Sequence, residues 1–135
     1  MIIVGATLAA LAVFARPPEF ITLTSTDGTV TLSGEVPRSI GGFRIVRDDT
    51  ARDRFSSDGV APVYRLEPVG MFLPQSVTLL FSLALVPAAN PETLALALWN
   101  ETEERWELAP SSYDARTNAI RAPIRTLGFW TLRER

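Results

Sequence analysis

Four carboxylates fall close together at Asp48, Asp49, Asp53 and Asp58. Hard oxygen ligands grouped in one loop are the raw material of a calcium site. Here Arg47, Arg52 and Arg54 interleave with them, and no glycine stands where a calcium loop needs its sharp turn. The stretch from Asp48 to Gly59 has no apolar periodicity, so it reads as a solvated, charged surface loop. A second group, Glu101, Glu103, Glu104 and Glu107, crowds one hairpin tip. Two carboxylates opposed across a cleft can cleave a glycoside as acid and base, but four on one tip are expected to face water.

Trp99, Trp106 and Trp130 could form a flat platform for a sugar if exposed, or fill the core of a small domain. Trp106 and Trp130 alternate with leucines and are expected to be buried. Trp99 lies opposite the leucines of its strand and is the aromatic with an interaction role to test. Charge is uneven. From Pro110 onward, Arg116, Arg121, Arg125, Arg133 and Arg135 stand against two acids, although the whole chain carries −2. These arginines, above all Arg116, Arg121 and Arg125, could meet anionic headgroups if the domain is held near lipid. They are scattered, and an ordinary solvent face of two strands is the simpler reading.

What is missing narrows the chemistry further. The chain has no His, no Cys and, among its 13 basic residues, no Lys. Disulfides, thiolate nucleophiles, zinc sites with nitrogen or sulfur ligands and His-dependent triads are therefore excluded. No Gly-x-Ser-x-Gly elbow, Ser-x-x-Lys pair or glycine-rich phosphate loop occurs. The net charge gives no general attraction to nucleic acid. No catalytic residue, metal ligand or cofactor site is expected.

The elements that must position these residues begin with an apolar run from Ile2 to Ala15, closed by Arg16-Pro17-Pro18. As a helix it would span ~21 Å, short of the ~30 Å hydrocarbon core of a bilayer. Three readings stand: a secretory signal cleaved after Ala15, a short membrane anchor, or a first core element. Its apolar residues, Ile2, Ile3, Val4, Leu8, Leu11, Val13 and Phe14, would form the membrane segment, and Gly5 and Ala9 would suit packing against other helices. Residues 1–18 are thus set apart from a domain over 19–135.

In that domain the apolar pattern has period two. Phe20–Thr24 and Val30–Val36 alternate about Asp27-Gly28, the signal of a hairpin. Phe43–Val46 and Tyr64–Leu66 are short strands. The run Val77–Val86 is the central buried strand, with the Pro/Gly segment from Pro68 to Pro74 as a fixed corner before it. Leu94–Trp99 alternates leucine with alanine, then Trp106–Leu108 returns. Ser111–Asn118 reads as a turn, followed by strands over Ala119–Ile124 and Gly128–Leu132. About eight or nine short antiparallel strands with no long amphipathic helix describe an all-β sandwich.

The order Tyr64-x-Leu66-x-Pro68-x-Gly70-x-Phe72, then Val77-Thr78-Leu79, Trp99, Trp106, Asp114, Asn118, Trp130 and Leu132 resembles the bacterial relatives of the ZU-type β-sandwich of zonula-occludens, ankyrin and netrin-receptor proteins. The resemblance covers roughly residues 20 to 133. Two departures stand out. Gln75-Ser76 intervenes between Pro74 and Val77, which predicts a bulge or a slip. Thr126, Leu127 and Gly128 occupy the positions of a His-Phe-Ser self-cleavage motif, so self-cleavage is not expected.

The resemblance implies an assembly or spacer domain of exported proteins. The expected function is a non-enzymatic structural or interaction module of the cell envelope, membrane-anchored or periplasmic. It would serve as an accessory subunit whose partners are other protein subunits, membrane proteins among them, and lipid through residues 2–15. The alternative is an exported module that binds a glycan or calcium.

Overall fold

The computed structural model describes residues 17–38, 41–55, 61–86 and 90–135. The membrane-segment residues Ile2 to Phe14 lie outside them. Among the described residues no helix is long and apolar enough to cross a membrane.

Among the described residues, ten strands form two antiparallel sheets, in keeping with the alternating pattern. The hairpin is β1 (Glu19–Thr24) and β2 (Val30–Val36). Then follow β3 (Arg44–Arg47), a six-residue helix α1 (Asp49–Arg54), β4 (Tyr64–Glu67) and the long β5 (Phe72–Ser82). A 3₁₀ turn over Pro91–Thr93 leads into β6 (Leu94–Asn100), β7 (Arg105–Leu108) and β8 (Ser112–Asp114). The chain closes with β9 (Ala119–Thr126) and β10 (Phe129–Glu134). The first sheet has the order β1-β2-β5-β9-β8 and the second β3-β4-β10-β6-β7.

Between the sheets lies the core. Leu32, Tyr64, Leu79, Phe81, Leu96 and Leu132 are each at most 2% exposed. Removing a side chain of this size from water contributes ~1.5–3 kcal/mol, and with no cysteine in the chain the fold has no disulfide to add to it. Gly34 marks a close approach of β2 to β5. A Cβ there would stand 2.8 Å from Val77 Cγ1 and 3.1 Å from Val77 Cα.

The corner before β5 is as compact as its sequence predicts. Glu67–Pro68 is cis, and Gly70 takes φ 84°, a left-handed conformation open to glycine. Gly70 and Leu127 donate backbone hydrogen bonds to Leu127 and Met71, respectively, which ties the corner to the β9–β10 turn. The interruption at Gln75-Ser76 is a bulge: β5 shifts register against β9 between Phe72 and Val77. Its spare carbonyls are satisfied by Arg125, whose guanidinium donates to Leu73 O at 3.0 Å and Pro74 O at 2.6 Å.

Four expectations need correction. The central strand begins at Phe72 and ends at Ser82 rather than Val86. The Ser82 hydroxyl accepts the Ala84 N–H and Val86 N–H bonds to Leu83 O, so the end of the apolar run turns. Ser112–Asp114, read as turn, pairs with Ala119–Arg121 as an edge strand, too short and polar to alternate visibly. With it, ten strands stand where eight or nine were expected. The charged stretch from Asp48 is not all loop, because α1 forms within it. Asp48 Oδ1 accepts the Ala51 N–H at 3.0 Å, the bond of a helix N-cap.

Candidate functional site

The two outer faces of the sandwich differ. On the first sheet, alternation places Thr22, Thr24, Thr31, Thr78 and Arg121 outward. On the second, α1 and the segment leading to β4 lie over small residues of β6 and β10. Ala95 and Ala97 are 1% and 0% exposed, and Thr131 Oγ1 donates to Pro62 O at 2.9 Å. Here Ala51, Phe55, Val63 and Phe129 form a second apolar cluster, with Trp99 and Trp106 packed against it.

Phe55 organises that cluster. Its ring stacks on Trp99 at 4.6 Å and 20°, meets Phe129 edge-on at 4.7 Å, and has the Arg54 guanidinium 4.3 Å above it. Trp106 Nε1 donates to Phe55 O at 3.2 Å. So Trp106 does not join the main core as expected. It is the cross-strand partner of Trp99 and stays half-buried on the outer face. Trp130 is buried in the main core, its Nε1 donating to Thr126 O.

Trp99 is half-buried, and the stacked Phe55 covers part of its ring. Trp99 also lines a recess of about 340 Å³ together with Val69, Leu98, Gly128, Phe129, Glu101 and Glu107. Glu107 accepts the Asn100 side-chain N–H at 2.9 Å and stands 3.6 Å from Arg105. Thr126 and Leu127 line the same recess.

The three arginines of the expected patch are not brought together. Arg116 sits in the β8–β9 turn and its backbone N–H bonds to Asp114. Arg121 lies midway along β9, 3.8 Å from Asp114. Arg125, at the far end of that strand, is held over the β5 bulge with the Phe72 ring 4.5 Å from its guanidinium. At ~3.4 Å per residue, Arg121 and Arg125 stand ~14 Å apart.

The acidic stretch is engaged rather than convergent. Asp48 accepts the Thr50 hydroxyl, which with the Ala51 N–H and Arg65 holds its carboxyl below the ordinary value against the opposing effect of burial. Asp49 pairs with Arg47 at 2.8 Å. Asp58 lies outside the described residues. Among the described residues, no three Asp or Glu side chains are grouped so as to hold a metal ion.

A further feature had no strong sequence signal. Edge strands β1 and β3 lie on the same side of the sandwich and do not pair with one another. An open groove of about 620 Å³ runs between them, lined by Leu23, Thr24, Phe43, Ile45, Arg44 and Arg47 among others. Ile21, Phe43 and Ile45 face the core but are only partly buried.

At one end this side is latched. The Tyr64 hydroxyl, from the second sheet, donates to Asp27 Oδ2 at 2.5 Å in the turn of the first-sheet hairpin, and Arg47 stands 3.7 Å from the same oxygen. Burial pushes the Asp27 carboxyl up, but hydrogen bonds from Tyr64, Ser25 and Thr29 outweigh it and bring it down to about 2. Burial, followed by the bond to Asp27, pushes the Tyr64 hydroxyl up to about 12. The latch is therefore ionised at Asp27 and neutral at Tyr64 across the physiological range.

No protein-family model, curated protein or solved structure matches the chain.

Proposed function

We propose that the protein is a non-enzymatic structural and interaction module of the bacterial cell envelope. It would act as an accessory subunit held at the membrane by residues 2–15 and engaging a larger membrane complex through its β-sandwich. The observation that carries this reading is the open side between β1 and β3, where Ile21, Phe43 and Ile45 leave core-facing apolar surface partly uncovered beside two strand edges that pair with no further strand among the described residues. Free edges add strands readily, and alternate side chains then give selectivity. The partner that fits is an extended segment of another subunit, with apolar residues for the groove and acids opposite Arg44. The resemblance to ZU-type sandwiches supports an assembly role in the same direction.

The test is purification from native membranes in mild detergent, beside an Ile45→Lys variant whose β-sheet circular dichroism is intact. Native chain that retains residues 2–15 and travels with stoichiometric protein partners, lost in the variant, is the expected result. A chain found only in the soluble fraction, beginning at Arg16, would overturn the membrane part. A chain in the membrane without partners would overturn the accessory-subunit part.

The second reading, an exported ligand-binding module, is favoured by the Trp99 recess. A half-exposed indole beside two carboxylates has the chemistry to hold a sugar ring. Titration with neutral oligosaccharides, followed by tryptophan fluorescence and repeated with Trp99→Ala, separates the two. Saturable quenching lost in that variant would favour the glycan reading.

A further inference from the structure

Strand register determines which loops share an end of the sandwich. Glu19 pairs with Val36, Phe72 with Thr126, Arg44 with Glu67, and Asn100 with Arg105. The start of β1 is therefore at the same end as the β2–β3, β4–β5, β6–β7 and β9–β10 connections. The Asp27 turn, the β5–β6 connection and the Arg116 turn are at the opposite end. Phe20, Val69 and Phe72 are 67%, 44% and 64% exposed, and all three belong to the entry end. Leu85, at 72%, belongs to the other.

The apolar residues of the entry end are accompanied by arginines. Arg125 lies over the Phe72 ring and, bonded to the Leu73 and Pro74 carbonyls, is fixed beside it. Arg38 donates to Pro17 O at 3.0 Å and so ties the incoming chain to this end. An aromatic ring with an arginine beside it, as Phe72 has in Arg125, suits the boundary between headgroups and acyl chains, where the ring is buried and the cation stays wet.

Chain length gives an independent reason. The apolar run ends at Ala15, and β1 begins at Glu19. Four extended residues reach at most ~14 Å, while the headgroup layer on one side of a bilayer is ~5–8 Å thick. If residues 2–15 hold the chain to the membrane, a tether this short keeps the entry end at the lipid surface.

We infer that the sandwich stands on the membrane by this end, with Phe20, Val69 and Phe72 in the headgroup layer. The inference rests on the reading that residues 2–15 hold the chain to the membrane. The hairpin tip with Glu101, Glu103 and Glu104 shares this end but belongs to the second sheet. Packed sheets are ~10 Å apart, so Glu103 and Glu104 are set off from Phe20 and Phe72 on the first sheet, while Glu101 borders the Val69 recess.

Because the chain has no cysteine, any introduced one is unique. Single variants Val69→Cys, Phe72→Cys, Leu85→Cys and Arg116→Cys, all at exposed positions, would carry an environment-sensitive fluorophore. The full chain would be reconstituted in phosphatidylcholine vesicles, with or without phosphatidylglycerol, and quenched by spin-labelled lipid. Labels at 69 and 72 are expected to shift to the blue and lose intensity, while those at 85 and 116 behave as in water. Equal or stronger quenching at 85 or 116, or none at 69 and 72 in protein that floats with the vesicles, would overturn the orientation and leave the anchor standing. Protein that does not float with the vesicles would overturn the anchor and the orientation together.

Discussion

The main core and the outer-face cluster are both apolar, yet they are built differently. The main core is made by two sheets, and nearly every strand supplies alternate residues to it. The outer cluster depends on a six-residue helix that could not stand alone and on one ring, Phe55, inserted among Trp99, Trp106 and Phe129. No residue of α1 belongs to the main core, whereas α1 needs the sandwich. Stability of the whole is thus expected to reside in the first cluster, and the setting of the Trp99 recess in the second.

The sharpest way to break that distinction is to remove one ring from each. Phe81→Ala empties a fully buried site against Tyr64 and should cost about 3–5 kcal/mol, read as a lower urea midpoint of a single transition. Phe55→Ala, at a slightly exposed site, should cost about 3 kcal/mol, the low end of that range. Its signature is local: amide exchange rises in α1, and tryptophan emission shifts to the red, while β2, β5 and β9 keep their protection. If Phe55→Ala lowered protection throughout the sheets as much as Phe81→Ala does, the two clusters would be one cooperative unit.

A smaller effect sharpens the comparison at the open side. Tyr64→Phe keeps the ring in the main core but removes the bond to Asp27, and should cost about 1–2 kcal/mol. Its pH dependence follows from the two shifts. Asp27 is lowered from 3.8, so its contribution is present above pH 3.8 and is lost as pH falls toward about 2. Tyr64 is raised from 10.0, so its contribution is present below pH 10 and is lost as pH rises through about 12. Thermal melts of native protein and variant across pH should therefore converge at both extremes; a constant difference would show that the latch is not the cause. The smallest expected change is Asp48→Ala, about 1 kcal/mol for the lost helix cap. Asp48→Asn should recover most of it if the cap dominates over the ion pair with Arg65, as the same exchange measurements on α1 would report.

Alternation made most of the sandwich legible. Phe20–Val36 is the hairpin expected of it, and Leu94, Leu96 and their neighbours face as period two requires. The departures have local causes. Phe55 stands alone among charged residues, and a single ring gives no periodicity, so neither α1 nor its cluster was visible. The signal available was the pair of alanines, Ala95 and Ala97, whose small side chains on an outer face leave room for something to lie over them. Trp106 was misplaced because alternation within β7 does not say which face is covered. The open side and the latch depend on which strands become edges, and contacts such as Tyr64 to Asp27, 37 residues apart, follow from topology.

Gly34 has a consequence for how the first sheet assembles. Its Cβ-less backbone lies against Val77, in the inward row that also holds Ile21. Were the hairpin to slide two residues along β5, Leu32 or Val36 would have to fit where no side chain can. The glycine works as a keyway. It admits one alignment and rejects its nearest rivals by collision, so the register of β2 on β5 is held by the backbone as well as by the core.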